Sequence, residues 1–241
     1  MSRIGAVSGG GARIPDGNAG LAPLLSAADP SVRSASASPP IPPVDAKVVA
    51  TGFYINAAGD VLTIWPEIQG CRRILVQDRY GVREAQVAAG NAIRSMAILT
   101  TGESVTRYAI FREKDPAMGE LVVEYAYPLV DTVMLPLTQG SGVVRSRASP
   151  DGVQGVLQIA ILIDGRTPGG PLVGRDGKVV AIGISKLDQR WPVNASYAIG
   201  SGLIRRFTAA SGVTVDARPA AGMASAFGSP ADYVVSVICF G

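Results

Sequence analysis

Gly169-Gly170-Pro171-Leu172-Val173-Gly174-Arg175-Asp176-Gly177-Lys178-Val179-Val180-Ala181-Ile182-Gly183-Ile184 is the stretch on which the reading of the fold turns. Two short apolar runs flank Asp176-Gly177, a dipeptide suited to the left-handed backbone of a tight hairpin turn. Each run has the length of a strand and is too short for a helix. The segment therefore predicts two antiparallel strands and a turn.

The same pattern recurs on either side. Gly52 to Ile55, Arg73 to Gln77, Arg83 to Ala88, Met96 to Thr100 and Leu121 to Tyr125 are of strand length. Ala58-Gly59-Asp60, Asp78 to Gly81, Asp115-Pro116 and Ser149-Pro150-Asp151-Gly152 punctuate them as turns. Many short strands at near-regular spacing predict an all-β barrel or sandwich. Helix is expected at Ser201 to Ala210, where Leu203, Ile204 and Phe207 form an apolar face. Tyr233 to Phe240 alternates as a closing strand and would bring Cys239 near Cys71.

Residues 1–45 differ from the rest. They are rich in Gly, Ala, Ser and Pro, lack aromatic residues, and balance three arginines against three aspartates. Such a segment cannot bury enough apolar surface to offset its ordering entropy, so it reads as a disordered arm, stiffened at Ser38-Pro39-Pro40-Ile41-Pro42-Pro43. Residues 46–241 form the folded body.

Composition narrows function. No apolar run approaches the roughly 18 residues of a membrane-spanning helix, and Val156 to Ile163 is broken by Gln158. Met1 to Gly20 has no basic, apolar and small-residue order of an export signal. A net charge of +3 is too small to argue for nucleic acid. The pairs Arg72-Arg73 and Arg205-Arg206 read as solvated faces. Cys71 and Cys239 allow one intramolecular disulfide or two buried thiols. The bond would imply a periplasmic or extracellular setting, while the lack of a visible export signal leaves the cytoplasm open.

Four segments, taken together, resemble the bacterial trypsin-like serine peptidases over roughly Thr51 to Phe207. Gly52-Phe53-Tyr54-Ile55-Asn56-Ala57-Ala58-Gly59-Asp60-Val61-Leu62-Thr63 is similar to the strand, turn and strand leading to that family's catalytic histidine. Met96-Ala97-Ile98-Leu99 resembles the strand after its aspartate. Tyr127-Pro128-Leu129 and Thr138-Gln139-Gly140-Ser141-Gly142-Val143 resemble the opening of its second barrel. Gly169-Gly170-Pro171-Leu172 through Ile184 resembles the segment that starts at its nucleophile serine, and Tyr197-Ala198-Ile199 with Leu203 to Phe207 its last strand and helix. The resemblance implies two antiparallel six-stranded β-barrels, the first about residues 46–116 and the second about 117–212, followed by a C-terminal segment, 213–241.

The departures concern catalysis. Pro66 stands where the resemblance expects histidine, Ser95 where it expects aspartate, and Pro168 where it expects the serine. The chain contains no histidine at all, so no shift of alignment restores the base that acyl transfer requires. The oxyanion hole is implied to lie at Pro168, which has no N–H, and at Arg166, which replaces a glycine.

Other chemistry reads poorly. Ser185-Lys186 are strand neighbours facing opposite ways, Cys71 lacks a base, and the 165–170 loop lacks the Lys-Ser/Thr ending of a phosphate cradle. No metal or cofactor is expected, because there is no histidine and the cysteines are far apart in sequence.

The expectation is a non-catalytic homologue that binds another protein or an extended peptide, or builds an assembly. The alternatives are a serine-type endopeptidase or esterase with a non-standard site, and a regulator of an active peptidase. Trp65 either fills the lost site or offers a hot spot in a vacated cleft. The resemblance implies a peptide-pairing surface of Ala181, Ile182, Gly183, Ile184 and Ser185 with Tyr197, Ala198, Ile199 and Gly200.

Overall fold

The computed structural model describes residues 46–93, 95–130, 133–134, 136–161, 168–184, 191–192, 195–215 and 229–241. The 1–45 arm, Arg166, Ser185 and Lys186 lie outside the described residues.

In chain order the elements are β1 (Ala46–Tyr54), β2 (Asp60–Ile64), α1 (Trp65–Ile68), β3 (Arg73–Asp78), β4 (Gly81–Asn91), β5 (Met96–Thr100), β6 (Leu121–Ala126), β7 (Leu129–Val130), β8 (Val133–Met134), β9 (Thr138–Ala148), β10 (Gln154–Ala160), β11 (Pro171–Val173), β12 (Val179–Ile184), β13 (Ser196–Gly200), α2 (Ser201–Ala210) and β14 (Val234–Phe240). The expected pair of antiparallel six-stranded barrels is present. One closes in the order β1-β14-β3-β4-β5-β2, the other in the order β10-β13-β12-β11-β6-β9, while β7 and β8 form a small separate hairpin.

Closure explains how such short strands are stable. A closed barrel leaves no unpaired backbone edge, and its inward residues fill the lumen. Val122, Val144, Leu157, Ile159, Leu172, Val180 and Ala198 form one buried cluster within the second barrel. The larger cluster joins first-barrel residues such as Phe53, Leu62, Val76, Ile98 and Val235 to Val179, Ile182, Ile199 and Phe207 of the second. Each barrel therefore contributes to a shared apolar seam, and Phe53 meets Phe111 of the linker there, ring centroids 6.1 Å apart.

The C-terminal strand β14 belongs to the first barrel. It pairs with β1 from Ala46↔Phe240 to Phe53↔Val234 and with β3 from Ser236↔Gln77 to Phe240↔Arg73. Val234 to Ile238 are buried. Lys47 faces Cys239 in this register, and Cys239 is bonded to Cys71 with their Cα atoms 5.4 Å apart.

The linker between barrels is stitched to both. Ala109 N–H donates to the Tyr54 carbonyl at 2.8 Å, and Arg112 N–H to that of Val179 at 2.9 Å. Arg112 also reaches Glu120 and Asp176. The β11–β12 hairpin forms where the sequence predicts one, but its loop runs from Gly174 to Lys178, closed by Gly174 N–H to the Lys178 carbonyl at 2.9 Å. The loop is thus wider than the expected two-residue turn, and the Arg112 guanidinium packs against its Gly174 and takes its Asp176 carboxylate.

Candidate functional site

The seam between barrels is built on two threonines. Thr51 on β1 and Thr63 on β2 are both fully buried. Thr63 Oγ1 donates to the Thr51 carbonyl at 2.8 Å, and Tyr127 N–H donates to Thr51 Oγ1 at 3.0 Å. The Thr51 N–H donates to the Pro168 carbonyl at 2.8 Å, which fastens the segment before β11 onto the first barrel.

Gly169 makes that approach possible. Its φ is +100°, and a Cβ there would collide with the Thr51 carbonyl oxygen and stand 3.2 Å from Thr63 Oγ1. Gly169 N–H donates to the Gly183 carbonyl, and Gly183 N–H to that of Gly170, both at 2.8 Å. Gly170 faces the Tyr125 carbonyl just as closely.

β2 runs directly into α1. Pro66 sits in the first turn, where its missing N–H has no helical partner to lose. Trp65 N–H donates to the Ser95 carbonyl at 3.0 Å. Ser95 is buried and adopts a left-handed φ of 53°, uncommon for a residue with a side chain. Trp65 is half-buried, with its six-membered ring against Gly90, where any Cβ would clash. Pro66 is exposed and Ile68 anchors the turn in the core.

The Trp65 amide, next to Pro66 in the chain, is hydrogen-bonded to Ser95, and the Pro168 carbonyl is hydrogen-bonded to Thr51 of β1, whose own carbonyl takes the Thr63 hydroxyl. Trp65 is partly buried, packed against the core and against Gly90.

The phenols around this seam are held in their protonated form near neutrality. Burial raises the pKa of Tyr54, Tyr125, Tyr127 and Tyr233 above the ordinary phenol value, and the nearby Asp78 charge adds to the effect at Tyr54 and Tyr127. Their hydroxyls stay protonated.

The expected peptide-pairing surface needs correction. β12 pairs with β11 on one side and β13 on the other, and β13 pairs with β12 and β10. Ala181, Ile182, Gly183, Tyr197, Ala198, Ile199 and Gly200 are buried interior positions with both edges occupied by the closed barrel. They offer no free strand edge to a peptide. Ile184, half-exposed at the end of β12, is the described residue of this set that reaches the surface.

Two features had little sequence signal. Asp78 is buried and accepts from Arg83 at 2.7 Å, Tyr54 Oη at 3.3 Å and the Tyr80 and Gly81 amides, at the base of a pocket of about 210 Å³. Asp115 accepts the Gly202 N–H at 2.8 Å and the Ser201 hydroxyl at 3.3 Å, capping α2 from the linker. Both aspartates read in sequence as turn residues.

The double barrel is shared with a solved peptidase. The serine endoprotease from Yersinia pestis matches with a TM-score of 0.57 and 20% identity, over 67% of this chain and 57% of that one. The fold is that of the trypsin-like serine peptidases. Among curated sequences, the mitochondrial serine protease HTRA2 of Bos taurus is 30% identical over 167 residues, 65% of this chain and 35% of that protein. The uncharacterized protein y4bJ of Sinorhizobium fredii is 29% identical over 161 residues, 66% of this chain and 25% of that protein. The chain thus spans about a quarter to a third of the length of the curated relatives it matches. No family model matches it.

Proposed function

We propose that this chain is a catalytically inactive homologue of the trypsin-like serine peptidases that works by binding another protein. The observation that carries the reading is the absence of histidine from all 241 residues, in a fold whose chemistry relies on an imidazole to take the proton of a nucleophilic hydroxyl. The positions that match the family's triad are Pro66, Ser95 and Pro168, and Pro168 contributes no N–H to an oxyanion. The buried hydroxyl of Thr63 already donates to a carbonyl, and the phenols nearby are held neutral.

The binding surface in this reading is the rim formed by α1 and the β4–β5 turn. Trp65 and Pro66 lie there, and Ile93 of the turn is 92% exposed. A half-buried indole backed by glycine is a pre-organised anchor for a partner side chain. The disulfide supports an oxidising compartment such as the periplasm as the place of action.

A fluorophosphonate probe, with an active serine peptidase as positive control, tests the first half. No covalent labelling is expected, and stoichiometric labelling would establish a serine hydrolase with a non-standard site instead. Affinity capture from native extract, with and without residues 1–45, tests the second. Trp65→Ala should weaken the captured complex by roughly 30-fold or more, the scale of a hot-spot loss.

A further inference from the structure

The Cys71–Cys239 bond sits at an unusual junction. Cys239 lies in β14, which two full ladders and five buried residues, Val234 to Ile238, hold in the first barrel. Cys71 lies in the short link from α1 to β3, where it packs against the core and Arg72 also donates to the Gly241 carbonyl. Cys71 N–H donates to the Ile68 carbonyl at 3.2 Å, Gln69 N–H to that of Trp65 at 3.1 Å, and Arg72 N–H to that of Phe240 at 2.8 Å.

Around Cys71, Gln69, Gly70 and Arg72 are exposed, and Gly70 takes a φ of +93° with nothing within 4 Å of its Cβ direction. α1 itself is four residues long, has no side-chain cap, and begins beside a proline. A single turn of that kind is marginal without tertiary support. Both cysteines are half-buried, and Cys71 packs against the edge of the first-barrel core.

We propose that the Cys71–Cys239 disulfide is a redox latch on the α1 rim, whose reduction loosens the turn bearing Trp65 and Pro66 while the barrel stays closed. An external dithiol supplies the two electrons and two protons. One of its thiolates attacks a sulfur of the pair and forms a mixed disulfide. Its second thiolate then displaces the cysteine, which leaves two protein thiols and an oxidised reductant.

The latch goes beyond the binding reading and is tested without a partner or an activity. The full chain is compared oxidised, after millimolar dithiothreitol in native buffer, and as the Cys71→Ser/Cys239→Ser variant. Amide exchange is read by segment.

On reduction, amides of Ile68 to Arg72 should approach within about tenfold of unprotected rates while Val235 to Ile238 remain protected. In a Trp191→Phe background, acrylamide quenching of Trp65 should rise about twofold. Unchanged protection at Ile68 to Arg72 would reduce the bond to a static staple. Loss of protection in β14 along with the link, or a bond that resists dithiothreitol under native conditions, would overturn the latch as well. If the double variant does not fold, the reduced native chain carries the same measurement.

Discussion

Replacing Gly169 by alanine tests whether the two barrels are joined as described. The backbone at 169 has a φ of +100°, and the new methyl would enter the space of the Thr51 carbonyl oxygen. An L-residue held in such a left-handed region costs roughly 1–2 kcal/mol. Relief of the clash requires the segment to move off β1. That breaks the Thr51 N–H to Pro168 carbonyl bond and disturbs the Thr63 hydroxyl to Thr51 carbonyl bond, both 2.8 Å long. Two such bonds contribute about 1 kcal/mol each, so the sum is about 3–4 kcal/mol. With a urea m-value of roughly 2 kcal/mol/M, the midpoint should fall by about 1.5–2 M.

Gly212→Ala is the internal control. Gly212 also has a positive φ, +74°, but nothing lies within 4 Å of its Cβ direction. Only the backbone strain applies there, and the expected loss is about 1 kcal/mol. Equal midpoints for the two variants would refute the clasp between Pro168-Gly169 and β1.

Asp115→Ala should lower stability by about 1–2 kcal/mol through loss of the cap on α2, with Asp115→Asn retaining most of it. Thermal unfolding, followed by circular dichroism at the helix band, should show a fall of about 3–6 °C for the alanine variant. An unchanged melting temperature would mean that α2 does not depend on this contact. Alkaline pH should also destabilise the fold. Burial holds the Tyr54 and Tyr233 phenols protonated in the folded chain above their ordinary pKa. Their raised folded pKa gives stability that is full below about pH 10, the unfolded value, and is lost as pH rises through the folded value. Each phenol contributes a slope of up to about 1.4 kcal/mol per pH unit in that window. Urea midpoints measured from pH 9 to 11 should decline, and less steeply in Tyr54→Phe/Tyr233→Phe. Parallel curves would exclude these phenols as the cause.

Some elements were legible because their signal is local. Met96–Thr100 and Ser201–Ala210 occupy the residues their apolar patterns predict, since strand length and helical period are properties of adjacent side chains. The assignment of Pro66, Ser95 and Pro168 rests on a different kind of signal, departures within motifs that resemble a known family. The four-residue turn α1 was not legible, because Trp65-Pro66-Glu67-Ile68 is too short for any period and depends on Ile68 being buried in the core. The surface expected of β12 and β13 was misplaced, because burial of a strand edge depends on which strands lie beside it.

By itself the sequence determined the all-β class, the short helix before residue 211, the absence of an imidazole and the glycines at 169 and 170. Those follow from composition and from neighbours along the chain. Tertiary structure alone decided that β14 completes the first barrel, that Asp115 caps α2, and that Thr51, Thr63 and Gly169 form the seam. Ala46 opposite Phe240 and Asp115 beside Gly202 are contacts between residues remote in the chain. Barrel closure selects such partners by pairing every edge and excluding water from a shared core, and no local pattern encodes that choice.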